Sequence, residues 1–148
     1  MSAKGTMIPP QQLIEIAKAP FVAYNDKNFD KIPSLLTSNV VYEEIATSRK
    51  AQGSDQVITL WRGWATALPD SKCTFDNVIV SGDTAVLELT WRGTHTGPLQ
   101  TPNGTIAATN RRIEVRACNV VQVEGEKVKS QRHYFDMATL LQQLGIGG

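Results

Sequence analysis

Residues 73–95 read CTFDNVIVSGDTAVLELTWRGTH, and the period of this stretch decides what kind of fold the chain builds. Before Leu68 the apolar residues recur at helical spacing, whereas here they alternate. Cys73 to Val80 reads as one strand, Ser81-Gly82-Asp83 as a tight hairpin turn, and Thr84 to His95 as a long second strand. Alternation places Ala85, Leu87, Leu89, Trp91 and His95 on one face, with Glu88, Thr90, Arg92 and Thr94 on the other. The first face is apolar and is expected to point inward, which makes a histidine at its end worth explaining.

Toward the C-terminus, a loop rich in Gly, Pro and Asn runs to about Asn110. Arg111 to Val123 is a third long strand, with Ile113, Val115, Ala117, Asn119, Val121 and Val123 sharing a face. Glu124-Gly125-Glu126 turns it into a last strand, Lys127 to Asp136, and Met137 to Leu144 reads as a short helix.

Toward the N-terminus, Val57, Leu60, Trp61, Trp64 and Leu68 form one helical stripe, with Ser54 as its expected N-cap and Pro69-Asp70 as its stop. Val40 to Glu44 is a short β-branched strand. An earlier helix carries Leu13, Ile16, Ala17, Pro20 and Tyr24 on one stripe, and Pro20 predicts a kink or restart there. A short second helix, capped by Asn28, is expected to end near Leu36. Helices followed by a run of antiparallel strands is the pattern of an α+β fold: a curved antiparallel sheet, crossed on its hollow face by helices, around one apolar pocket.

The chain has 148 residues, which suits one domain over residues 1–148, with flexible ends at 1–9 and 145–148. Fifteen basic residues against fourteen acidic ones leave none of the excess that marks a nucleic-acid binder, and Arg111-Arg112 reads as a solvated strand edge. No run approaches the roughly 20 apolar residues of a membrane span, and the opening residues lack the apolar core of a signal peptide. A cytoplasmic protein without membrane partners is expected. Cys73 and Cys118 lack metal-type spacing and are expected to be reduced thiols. The absence of HExxH, GxSxG, P-loop and GxGxxG patterns argues against metal, nucleotide or Ser-His-Asp chemistry.

Three constellations remain. His95 either caps a strand through a backbone carbonyl or lines the pocket, and Gly93, Gly97 and Gly104 let the backbone bend around it. In RHYFD, alternation puts Arg132, Tyr134 and Asp136 on one face and His133 and Phe135 on the other. The first set is either a surface ion-pair ladder or a hydrogen-bonded array in which Asp136, between apolar burial and Arg132, serves as general acid–base. Asn119, alone on an apolar face, bonds either to neighbouring backbone or to a ligand. Tyr24, Trp61, Trp64 and Trp91 are expected to shape the cavity around a hydrophobic small molecule.

Three longer stretches resemble one known family. ALPDSKCTFDNVIVSGDTAVLELTWRGTHTGPL (67–99), EKVKSQRHYFD (126–136) and DMATLLQQLG (136–145) are similar to the hairpin, penultimate strand and closing helix of SnoaL-like polyketide cyclases. The resemblance implies the cone-shaped α+β barrel shared with ketosteroid isomerase and nuclear transport factor two. It implies cofactor-free, acid–base ring closure of aldol type, with Asp136 as catalyst and His95 beside it. Arg132, Tyr134, Asn119, Trp61, Trp64, Trp91 and Tyr24 would then bind substrate, without a metal, and the chain would form a homodimer. The same fold hosts isomerases, hydratases and non-catalytic binding proteins, which stand as alternatives.

Overall fold

The computed structural model describes residues 8–146. The ends expected to be flexible therefore lie largely outside the described residues. Along the chain come α1 (Pro10–Asn25), β1 (Leu36–Glu44), β2 (Arg49–Gln52), α2 (Ser54–Ala67), β3 (Lys72–Ser81) and β4 (Thr84–Thr94). They are followed by β5 (Leu99–Thr101), β6 (Gly104–Ile106), β7 (Arg112–Glu124), β8 (Lys127–Phe135) and α3 (Met137–Gln143). Short 3-10 turns at Ile32–Leu35 and Ile45–Thr47 flank β1.

Six strands form one curved, open sheet in the order β2-β1-β8-β7-β4-β3, and β5 and β6 form a separate hairpin. Neighbours are antiparallel except β1 and β8, which run parallel, so the sheet is mixed where an all-antiparallel one was expected. The parallel pair arises because β8, turned back from β7, lies beside β1, a strand laid down far earlier in sequence. With α1 and α2 against the hollow face, the architecture is the cone-shaped α+β fold.

Helix α1 continues through Pro20 without a restart, although that residue cannot donate to the preceding turn. Burial explains the tolerance. Leu13, Ala17, Pro20, Phe21 and Tyr24 lie on the inward stripe, packed over Leu87, Leu89 and Val121, and each large apolar side chain so buried contributes about 1.5–3 kcal/mol. The side chain of Asn25 pairs with both backbone groups of Cys73, pinning the helix end to β3. Segment 28–36, expected as a helix, winds only one 3-10 turn because Pro33 and the approach of β1 cut it short. At α2 the N-cap is Gly53 (φ 84°), one residue before the expected Ser54, and no side chain caps it. Both cysteines are free thiols.

The register of β8 corrects the inward face expected for RHYFD. Val123 pairs with Val128 but Gln122 pairs with Ser130, so Lys129 is an extra residue, a β-bulge. Val128 points inward, and strict alternation from it would carry Arg132, Tyr134 and Asp136 inward too. The bulge reverses the parity. Gln131 and His133 are buried, while Arg132 and Tyr134 stand on the outer face.

Candidate active site

A cavity of about 80 Å³ lies between the sheet and the helices. Pro20, Phe21 and Tyr24 of α1 form one wall, Trp61, Trp64 and Leu68 a second, and Trp91, Ile113, Val115 and Phe135 the floor. Leu140 of α3 closes it, and Tyr42, Ser71, Gln131 and His133 are its polar residues. Of the residues expected to shape the cavity, Tyr24, Trp61, Trp64 and Trp91 do so. Arg132 and Tyr134 do not reach it, for the reason of parity given above.

A chain of hydrogen bonds ends in this cavity. Glu44, with no exposed surface, lies at the end of β1. Its Oε1 accepts from Thr47 Oγ1 at 2.7 Å and from Arg49 Nη2 at 2.8 Å, and its Oε2 accepts from Tyr42 Oη at 2.7 Å and Trp64 Nε1 at 2.9 Å. Burial alone would push this carboxyl up, but the donors Thr47 and Tyr42 and the Arg49 charge outweigh it, and its pKa falls below the ordinary value. Glu44 is therefore ionised and satisfied.

Tyr42 Oη also lies 3.0 Å from His133 Nδ1, and Trp91 Nε1 donates to His133 Nε2 at 3.3 Å. An indole N–H can only donate, so Nε2 must carry a lone pair. The single Tyr42 proton goes to Glu44, so the Tyr42 oxygen accepts the Nδ1 proton. The ring is neutral. Burial pushes its pKa from 6.5 down to about 4, against the opposing pull of the Glu44 charge. Tyr42, buried and next to that carboxylate, is raised well above its ordinary value.

His95 and Asp136 sit elsewhere. His95 is fully buried, but neither it nor Asp136 lines the cavity. Its Nδ1 meets Thr109 at both Oγ1 (3.0 Å) and N (3.2 Å), and its backbone pairs with Asn110 and Arg111, so the ring ties β4 to the loop before β7. The surrounding glycines serve close packing. A Cβ at Gly97 would lie 2.1 Å from the Thr66 carbonyl oxygen, and one at Gly93 would lie 3.1 Å from Ser71 Cα. Asp70 accepts from Thr94 N (2.7 Å) and Thr94 Oγ1 (2.9 Å). The PD and GTHTG segments are thus two halves of one structural joint.

Asp136, expected to be the acid–base residue, is exposed and caps α3: its carboxylate accepts from Thr139 N at 3.0 Å and Thr139 Oγ1 at 2.6 Å. The strand ends at Phe135, so Asp136 marks the start of the helix and faces solvent. Those hydrogen bonds hold its carboxyl below the ordinary range. The closing QLG is structural as well. Gln143 exchanges two hydrogen bonds with the backbone of Glu114, Leu144 is buried, and Gly145 (φ 77°) packs against Arg111. Asn119 bonds to neither backbone nor cavity; its Oδ1 accepts from Gln131 Nε2 at 2.9 Å.

Sequence reasoning missed Tyr42, Gln131 and His133, and reached Glu44 only as one of two candidates, with Glu43, for a second acidic residue in an isomerase or hydratase. Their signal was present as polar residues at i and i+2 in YEE and QRH, but only the bulge at Lys129 shows which parity faces inward. Among the described residues no group of three or more His, Cys, Asp or Glu is placed to hold a metal ion, and no helix is long and apolar enough to cross a membrane.

Comparison with known proteins matches the SnoaL-like polyketide cyclase family model over residues 15–144. Among solved structures, a candidate SnoaL-like polyketide cyclase from Jannaschia sp. CCS1 superposes with a TM-score of 0.83 at 16% identity, covering 95% of this chain and 98% of that one. TsrD from Streptomyces laurentii gives 0.79 at 23% identity, with 93% and 98% covered. An LEH-like epoxide hydrolase from M. tuberculosis gives 0.70 at 19% identity, with 90% of each chain covered. At these identities the likeness is one of fold. No curated protein matches the sequence.

Proposed function

The chain belongs to the SnoaL-like polyketide cyclase family, and from that premise we propose that it is a cofactor-independent acid–base enzyme acting on a neutral, hydrophobic carbonyl compound. The observation that carries this reading is the Glu44–Tyr42–His133 chain, which brings one basic nitrogen to a largely apolar cavity. His133 takes the role first expected of Asp136. Its Nε2 removes a proton from a carbon between two carbonyl groups, and the electron pair of that C–H bond moves into an enolate. In a ring closure the enolate carbon attacks a second carbonyl of the same molecule, and the alkoxide formed takes the proton back from Nε2. The substrate must acidify its own C–H, since a histidine with a pKa of about 4 is a weak base. Tyr24, Trp61, Trp64 and Trp91 hold the apolar body of the substrate.

Cavity size narrows the substrate. About 80 Å³ is less than the roughly 150 Å³ that accommodates benzene, so any ring enters only as the walls move, and a fused-ring compound needs the larger movement. An acyclic compound needs the least movement, and a single ring needs less than a fused system. The test is turnover of 1,3-dicarbonyl compounds of increasing size: His133→Asn should abolish it and Asp136→Asn should leave it intact. Activity that survives His133→Asn would refute the assignment. A second reading, a binding protein without turnover, is favoured by the same weak basicity; a copurified ligand and an inert carbonyl panel would select it.

The outer sheet face is proposed as the contact with a second copy. Tyr134 is 40% exposed there, and Val86, Cys118 and Val120 are only half-covered. A strict monomer by light scattering would refute this.

A further inference from the structure

The polar groups of the cavity differ in what they have left to offer. Tyr24 Oη and Ser71 Oγ are 2.7 Å apart and share one hydrogen bond. Tyr42 gives its proton to Glu44 and accepts from His133. Trp64 Nε1 is committed to Glu44 at 2.9 Å. Gln131 commits its Nε2 to Asn119 Oδ1 at 2.9 Å. Among the ring nitrogens and hydroxyls, His133 Nε2 holds the longest contact, Trp91 Nε1 at 3.3 Å, beyond the usual 2.9–3.0 Å. Among the described residues no Lys or Arg lines the cavity, and the charge nearest this ring in the hydrogen-bonded chain is the Glu44 carboxylate.

Resting on the functional reading above for the place of the site, we infer that the cavity selects a neutral compound bearing one hydroxyl donor, a phenol or an enol, and that Glu44, through Tyr42, is the positioning residue that keeps an acceptor lone pair on His133 Nε2. The ligand O–H replaces the long Trp91 contact, and the apolar walls move apart to take its ring. A carboxylate or phosphate is refused twice: the cavity offers it no cation, and an anion facing a neutral lone pair beside Glu44 is repelled. A methyl ether of the same shape gains the apolar contacts but leaves Nε2 with its poor partner. Glu44 matters because its ionised carboxylate demands the Tyr42 proton. With an amide in its place, Tyr42 can donate to Nδ1 instead, and the ring proton moves to Nε2, turning the acceptor into a donor.

The experiment uses phenol, anisole and benzoate as probes, with binding followed by calorimetry and by the side-chain 15N resonances of the two histidines. His133 is assigned by its absence in His133→Gln. Wild-type His133 should show the Nδ1–H tautomer, and phenol should bind about tenfold tighter than anisole, with benzoate weaker than both. Phenol should move the Nε2 resonance. In Glu44→Gln and Tyr42→Phe the preference for phenol over anisole should fall below about threefold. If Glu44→Gln does not fold, Tyr42→Phe, which removes one oxygen, decides. The wild-type tautomer decides by itself if neither folds. An Nε2–H tautomer in the wild type, or equal binding of phenol and anisole, overturns the inference. Turnover that needs His133 without any phenol preference would sink the inference and spare the functional reading. Selective phenol binding by a protein inert to every carbonyl compound would do the reverse.

Discussion

Replacing His133 by glutamine should change how the stability of the protein depends on pH. In the fold the ring is neutral with a pKa of about 4, whereas in the unfolded chain it titrates near 6.5. Between those values the unfolded state binds a proton that the folded state refuses, so stability falls as pH drops through this window. Above the window both states are neutral and the full stability is present. Each tenfold step in proton concentration within it costs about 1.4 kcal/mol. Measured between about pH 7 and pH 4.5, the loss due to His133 should reach 2–3 kcal/mol. The depressed carboxyls of Glu44, Asp70, Asp83 and Asp136 lose their contributions as pH falls further, below the ordinary carboxyl range, so the window belongs to histidine. His95, whose pKa is also lowered by burial, stays in both proteins and cancels. Urea unfolding of wild type and His133→Gln across this range measures the difference directly. If the two proteins lose the same stability, the imidazole is not buried and neutral, and the hydrogen-bonded chain to Glu44 is misassigned.

Other substitutions probe the scaffold. Glu44→Ala strands Arg49, Tyr42 and Trp64 and should cost about 3–5 kcal/mol in urea unfolding, against much less for Arg49→Lys. Gly97→Ala forces a methyl onto the Thr66 carbonyl and should cost about 3 kcal/mol, with Gly93→Ala milder because its nearest neighbour is 3.1 Å away. Asp136→Ala should lower Tm and fray α3 in hydrogen exchange, whereas Asp136→Asn, an equally good cap, should leave both near wild type.

Much of the fold was legible because burial follows period. The alternation in 84–95 and 111–123 named the inward faces, and the helical stripe from Val57 to Leu68 named three pocket residues. Strands β2, β5 and β6 escaped notice because three or four residues cannot display a period. The candidate site was less legible for two reasons. Glycines, an aspartate and a histidine in WRGTHTG and PDS have the composition of a reactive loop, but close backbone approach demands the same residues. The second reason is that polar alternation in SQRHYFD is equally good in either phase, and its phase is set by one unpaired residue upstream.

The phase of β8 beyond that unpaired residue, Lys129, gives the molecule an unusual evolutionary lever. Loss of Lys129 would merely close the bulge, whereas gain of a single codon between Ser130 and Gln131, with the bulge kept, would turn the strand over, so that Arg132 and Tyr134 would face the hollow and Gln131 and His133 would face water. A neutral, lone-pair-bearing chamber would become a cationic one in one step, with the rest of the cone left standing. Relatives that share this outline but carry one more residue within the last strand can therefore be expected to handle ligands of opposite charge.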